Sequence, residues 1–279
     1  MAAGGWVRYW RDGDRPVEAM HAHFFDHVYP PHSHDTYSFG ITDVGAQRFS
    51  CRGGAHTSGA GMVMAFNPDE VHDGRAAAES GYQYRIVHLG PSVVREVIAD
   101  ATGRSGALPL FPRPVLDDAA LAGALTRLHA ALAGAADPLV RDERLTAAVT
   151  AMTRRGAATP PARPMTPADR ARHQAAHRAR ALLDERYLDA IPATELAEAA
   201  GCSRFALYRS FHAEFGFAPS AYQRQLRLRH ARSLLRSGAT PADAASATGF
   251  ADQAHLSRWF QRVYGVTPGA FRRAGSPID

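Results

Sequence analysis

One pattern occurs twice in the last hundred residues, and this recurrence restricts the fold more than any other feature of the chain. Ser203/Asp252, Leu207/Leu256, Arg209/Arg258, Phe211/Phe260, Gly216/Gly265, Pro219/Pro268 and Tyr222/Phe271 each stand 49 positions apart. A cap, a core pair, an arginine and a terminator therefore recur in register. Two copies are too few for a solenoid, and the repeated unit is a short helix, a Gly turn and a second helix. That unit is a DNA-reading module.

Elementary rules assign a face to each side chain of the repeat. In the first copy Thr194 to Ala200 is expected as a helix, Gly201 permits the turn, and Ser203 caps a second helix. Leu207, Phe211 and Phe215, four residues apart, are expected on its buried face. Arg204, Tyr208 and Arg209 then point outward near the N-terminal end, where recognition helices meet bases. In the second copy Asp252 caps, Leu256 and Phe260 are buried, and Gln253, Ala254, His255 and Arg258 face out. Gln suits adenine, Arg suits guanine and Ala can meet a thymine methyl. Any one arginine could equally touch phosphate alone, as half or more of such contacts do. Between the copies, Pro219 to Ser237 reads as a long helix with Tyr222, Leu226, Leu228, Ala231, Leu234 and Leu235 apolar. Its Arg224, Arg227, Arg229, Arg232 and Arg236 form a basic side.

The stretch Ala247 to Arg272, ATGFADQAHLSRWFQRVYGVTPGAFR, resembles the signature of the AraC/XylS family of transcription regulators. The likeness runs from about Asp169 to Arg273, over a third of the chain. The resemblance implies that Phe205, Tyr208 and Arg209, and then Gln253, Ala254, His255 and Arg258, occupy base-contacting positions. It also implies that the long helix is a rigid spacer holding two recognition helices for successive major-groove turns, about 34 Å apart on B-DNA, with some bending of the duplex. Phe205 stays open, because an aromatic near a helix start is often core.

Bulk properties agree with a partner of negative charge. Residues 1–156 carry 15 Arg against 17 Asp plus Glu, and 157–279 carry 17 against 10, so a net +5 divides into −2 and +7. A basic half rich in helices is the footprint of phosphate contact. All 32 basic residues are Arg, which reads as a compositional bias rather than as a sign of DNA. Cys51 and Cys202 have no ligand or disulfide spacing and are expected as ordinary thiols in a reducing cytoplasm. No run of eighteen apolar residues or leader pattern occurs, so neither membrane span nor secretion is expected.

From Trp6 to about Leu89 short β segments alternate with turns. Tyr37 to Thr42, Gln47 to Arg52, Gly61 to Phe66 and Tyr82 to His88 are broken by Asp43-x-Gly45, Gly53-Gly54, Asn67-Pro68 and Asp73-Gly74. Such spacing suggests a small sandwich or barrel. Pro91 opens a helical region with stripes Leu121, Leu125, Leu128, Leu132 and Leu139, Leu145, Val149, Met152, packed beside the barrel or against another subunit. Gly156 and the prolines 160, 161, 164 and 167 read as a linker. Thr166-Pro167-Ala168-Asp169 then starts a helix that turns Ala176, Ala179, Leu182, Leu183 and Tyr187 inward. The expected domains are 1–155, effector sensing and candidate dimerisation; 156–168, linker; and 169–274, an all-α domain with two helix-turn-helix motifs joined by a long helix.

Pro30-Pro31-His32-Ser33-His34-Asp35 and Asn67-Pro68-Asp69-Glu70-Val71-His72 resemble the two halves of the cupin pattern, as in the ligand-binding domains of AraC-type regulators. On one strand His32, His34, Thr36 and Ser38 share parity, and His72 on a later strand could join them. Three imidazoles suit a divalent metal. Enzymatic cupins, however, carry Glu four residues after the second His, where this chain has Ser38. His32, His34 and His72 could hold zinc, contact an organic effector, or serve strand ends and turns. Tyr82 and Tyr84 share one face and could line the barrel, with Arg85 pointing away. The expectation is a cytoplasmic, non-enzymatic regulator with no required cofactor. Its expected partners are double-stranded DNA and a small-molecule effector, with RNA polymerase and a second copy of the chain as candidates. The alternative is a cupin metalloenzyme fused to a helical DNA-binding domain.

Overall fold

A computed structural model describes residues 5–13, 15–102, 107–134, 136–158 and 166–274. The chain divides into two compact units, Met1–Pro160 with Ala274–Asp279, and Pro161–Arg273.

Among the described residues the first unit is built on nine strands: β1 (Trp6–Arg11), β2 (Val17–Phe24), β3 (Tyr29–His32), β4 (Tyr37–Cys51), β5 (Gly54–Gly59), β6 (Val63–Phe66), β7 (His72–Ala76), β8 (Tyr82–Leu89) and the short β9 (Val115–Leu116). Its main path is β1-β2-β8-β4-β6-β9, with β5 and β7 on the far half of β4 and β3 on β7. Among the described residues β1 and β9, the two ends of the path, do not pair with each other, so the expected barrel is here an open sheet folded over at β4.

β4 explains the fold-over. The motif Asp43-x-Gly45, expected to break two strands apart, is an irregularity inside one. Thr42 faces Tyr84 and Val44 faces Gln83, so Asp43 is the extra residue. An inserted residue flips side-chain parity beyond it. Before the insertion Tyr37, Phe39 and Ile41 join one hydrophobic core, while beyond it Phe49 and Cys51 join the other. Gly45 has φ +72, and a Cβ there would run into the Gly81 carbonyl, so only Gly fits.

Sheet residues alternate between these two cores. Val17, Ala19, Val87 and Leu89 belong to the first, Met20, Ala22, Phe24, Tyr82, Tyr84 and Ile86 to the second. Helices α1 (Pro91–Thr102), α2 (Ala119–Ala133) and α3 (Pro138–Gly156) follow β8, and leucines of α2 and α3 complete the first core. Asp118 caps α2, accepting from the Ala120 and Leu121 amides. Leu139, expected in the stripe of α3, is exposed because it lies in the first turn, while Leu145, Val149 and Met152 are buried. At the two ends of the linker expected over 156–168, Gly156 ends α3 against Phe111 and Leu116, Ala158 bridges Leu110, and Thr166 caps the next helix. Pro160, Pro161 and Pro164 lie outside the described residues.

The second unit is all helical: α4 (Pro167–Glu185), α5 (Ala193–Ala200), α6 (Arg204–Phe215), α7 (Pro219–Arg236), α8 (Pro241–Ala247), α9 (Gln253–Tyr264) and α10 (Pro268–Arg273). Thr166 and Asp169 form a reciprocal capping box at α4. The 49-residue repeat reappears as packing. Phe211 meets Tyr222 edge-on at 5.5 Å and Phe260 meets Phe271 edge-on at 5.4 Å. Gly216 and Gly265 end α6 and α9 with φ +70 and +73.

Candidate nucleic-acid interface and sensory site

The outward face of α6 begins at its cap. The Ser203 side chain accepts from the Ala206 amide at 3.3 Å, as Asp252 accepts from the His255 amide at 2.6 Å at α9. Leu207, Phe211, Leu256 and Phe260 are fully enclosed, which turns Tyr208, Arg209 and Arg258 outward. Arg204, Phe205, Tyr208 and Arg209 are exposed on α6, and Gln253, Ala254 and Arg258 on α9, with His255 half-buried edge-on to Phe250. Phe205 is 69% exposed and Tyr208 46%, so Phe205 is not core; the Arg209 guanidinium lies 5.4 Å from its ring. Phe215, expected buried, is half-buried at the end of α6 under Arg180.

Spacer helix α7 departs from the expected basic side. Arg232 is 6% exposed, and Arg227 is spent on backbone carbonyls, donating to Tyr187, Leu188, Asp189 and Gly249. The helical period places these two partly inward because neighbouring loops and α10 cover that side of α7. Arg224 lies 3.8 Å over the Trp259 ring, whose other neighbour is Arg262 at 5.5 Å, a junction that pattern reading missed.

In the first unit the imidazoles converge, though not on one strand. β3 stops at His32 and β4 starts at Tyr37, so the continuous parity expected for His32, His34, Thr36 and Ser38 is broken by a connection over 33–36. His32 faces His72 directly across the β3–β7 ladder, and the connection returns His34 to them. Ring centroids lie 4.4 Å apart for His32/His72, 5.0 Å for His32/His34 and 5.4 Å for His34/His72. Thr36 is half-buried, its Oγ1 enclosed without a hydrogen-bond partner. Ser38 is fully buried 2.8 Å from Nδ1 of His88, whose ring is 4.8 Å from that of His34.

Carbonyl oxygens only accept, so the contacts of His32 Nδ1 with Pro30 O (2.8 Å) and of His72 Nδ1 with Glu70 O (2.9 Å) identify those nitrogens as donors. Burial, reinforced by neighbouring His72, pushes His32 down to about 3; burial pushes His72 and His88 down to about 4. All three are neutral near pH 7. Tyr29, absent from the sequence-based candidates, joins the rest: its ring stacks on His32 at 5.4 Å and its hydroxyl lies 3.0 Å from that of Tyr84. Tyr82 is one ring further, 5.4 Å from Tyr84, its hydroxyl enclosed without a partner. Arg85 takes the opposite face and pairs with Asp43. His88 shares the parity of Tyr82 and Tyr84, a signal sufficient to find it; Tyr29, flanked by Pro30, had none.

Comparison with known proteins assigns both units. A family model described as an AraC-like ligand binding domain matches residues 16–149, and one described as a helix-turn-helix domain matches 196–274. Together they define a helix-turn-helix transcriptional regulator that carries its own ligand-binding domain. The chain belongs to the AraC/XylS family. It is 28% identical over 229 residues to the uncharacterized HTH-type transcriptional regulator YbfI of Bacillus subtilis, spanning 82% of this chain and 81% of that protein. Its 42% identity to the HTH-type transcriptional regulator GlxA of Rhizobium meliloti runs over 81 residues, 29% of this chain and 25% of that one. The crystal structure of ToxT from Vibrio cholerae matches the fold with a TM-score of 0.54 at 9% identity, covering 98% of this chain and 99% of that one. Among the described residues no helix is long and apolar enough to cross a membrane.

Proposed function

We propose that this regulator reads DNA through two helix-turn-helix motifs, α5–α6 and α8–α9, held by α7, and is governed by a small effector bound in its sheet domain. The reading rests chiefly on the recurrence, 49 positions apart, of a capped helix whose buried Leu/Phe pair leaves an exposed, arginine-bearing face. Arg204, Phe205, Tyr208 and Arg209 on α6, and Gln253, Ala254, His255 and Arg258 on α9, are the proposed base-contacting residues. The proposed effector site is cupin-like and takes in His32, His34, Thr36, Ser38, His72, Tyr82 and Tyr84, to which the structure adds Tyr29 and His88 as neighbours.

On this reading the chain acts in the cytoplasm without catalysis, with RNA polymerase and a second copy of itself as further partners. The rival reading as a cupin enzyme is disfavoured by Ser38, which occupies the place of the carboxylate and bonds His88 instead. Selection of bound duplexes from a random-sequence library tests the proposal. The expected product is a site with two blocks about one helical turn apart. Recovery of unrelated sequences, or of a single block, overturns the two-motif reading.

A further inference from the structure

We propose that His173, His177 and Glu214 form a site for one zinc-class divalent ion that clips α4 to the last turn of α6. The site lies apart from the residues assigned above to DNA and to effector, and its occupancy depends on neither reading. His173 and His177 stand four residues apart in the run His173-Gln174-Ala175-Ala176-His177, so one turn of α4 brings both imidazoles onto the same face, their ring centroids 4.1 Å apart. Two histidines at that spacing on a helix form a zinc-binding pair. Glu214, the next-to-last residue of α6, reaches both rings through one atom: its Oε1 lies 2.9 Å from His173 Nδ1 and 3.3 Å from His177 Nε2. One donor atom from each of the three residues lies within 4.8 Å of the other two, close enough for side-chain rotation to bring all three onto one ion.

The 49-residue repeat supplies an independent argument. In the second copy the place of Glu214 is taken by Val263, which is 1% exposed in the packing of α9. An apolar side chain therefore serves the fold at this position. The first copy sets a carboxylate there instead, between two imidazoles of α4. His177 is further held by Phe215, whose ring meets it edge-on at 5.1 Å. The side chains of His173, His177 and Glu214 are 43%, 44% and 33% exposed, so an ion enters from solvent and keeps water at its fourth tetrahedral position. Two imidazoles with one carboxylate suit zinc, cobalt or nickel, whereas magnesium and calcium need sets of oxygen ligands.

An ion held between the two helices binds the folded helical unit better than the unfolded chain and so stabilises that unit. The test uses the full-length chain, stripped with chelator, with Trp6→Phe and Trp10→Phe. Trp259 is then the one tryptophan left and reports the urea transition of the helical unit, so that metal taken by imidazoles of the sheet domain does not enter the reading. At fixed urea within the transition, the folded-to-unfolded ratio is expected to rise about tenfold for each tenfold rise in free Zn²⁺ above the dissociation constant, and to stay unchanged with Mg²⁺. H173Q, H177Q and E214Q should each raise the zinc concentration required by at least about tenfold. Absence of a zinc-dependent rise overturns the site, as does an equal rise with Mg²⁺ or an equal rise in H177Q and E214Q. Chemical modification of the unsubstituted chain gives a second measurement, independent of how the variants fold. Trypsin releases residues 173–178 as one peptide carrying both histidines, and zinc must protect that peptide from diethyl pyrocarbonate. Equal modification with and without zinc overturns the proposal.

Discussion

The Ser38 hydroxyl and Nδ1 of His88 meet at 2.8 Å inside the sheet domain, both out of reach of solvent. A buried polar atom deprived of its one partner costs roughly 1–3 kcal/mol. Ser38→Ala is therefore expected to destabilise the sheet domain by about that amount. Trp6 and Trp10 belong to this unit and Trp259 to the other, so variants lacking one set or the other separate the two urea transitions by fluorescence. No loss in the sheet-domain transition would mean that the contact is idle.

His129 makes the same domain sensitive to acid. Its Nε2–H donates to the Met20 carbonyl at 3.2 Å, and burial pushes it down to about 4 from an ordinary 6.5, with Arg85, His21 and Asp43 facing it. The unfolded chain takes up a proton below 6.5 that the folded chain refuses until about 4. Stability present above 6.5 is thus lost as the pH falls through that window, on the order of 1–2 kcal/mol by pH 5. Other buried imidazoles act in the same direction, so the test is a difference: between pH 7 and pH 5 the urea midpoint of H129Q must fall less than that of the wild type.

Arg209→Ala and Arg258→Ala are each expected to weaken binding to a selected duplex by about 1–3 kcal/mol, the range for a lost bidentate base contact. Both are measured on selected and random duplex at one salt concentration. Equal losses on the two would assign these arginines to phosphate.

Arg227→Ala tests the opposite role. Four backbone carbonyls accept from this guanidinium at 2.8 to 3.3 Å, holding the loop after α4 and the turn before α9. Its loss is expected to destabilise the helical unit by roughly 2 kcal/mol. Below the unfolding range the ratio of selected to random binding should hold. A changed ratio with unchanged melting would make Arg227 a reading residue.

Much of the helical unit was legible because its rules are local. Ser203, Asp252 and Thr166 cap where short polar side chains before an apolar period must, and Gly216 and Gly265 stop helices by adopting positive φ. Phe205 was not decidable from composition, since only the packing of Leu207 and Phe211 shows which way it points. The sheet domain was less legible because its rules are not local. Asp43-x-Gly45 has the composition of a turn, and only the partner strand β8 reveals an insertion within a continuous β4. The three histidines were expected together by strand parity; they do meet, but His34 arrives from a connection. Arg227 and Arg232 look like solvated charge in a period, yet loops distant in sequence occupy the first and the rings of Tyr264 and Phe271 cover the second.

The exposed faces of α6 and α9 share a scaffold but not a chemistry: one presents two aromatic rings among its arginines, the other an amide, a methyl and an imidazole beside its guanidinium. On the proposed reading, a base sequence that suits one face does not suit the other, and a single chain cannot be turned end for end on its site. On that reading the stretch of duplex covered by one chain carries an arrow, and the direction of that arrow relative to a start of transcription decides which side of the regulator any neighbour on the DNA will encounter.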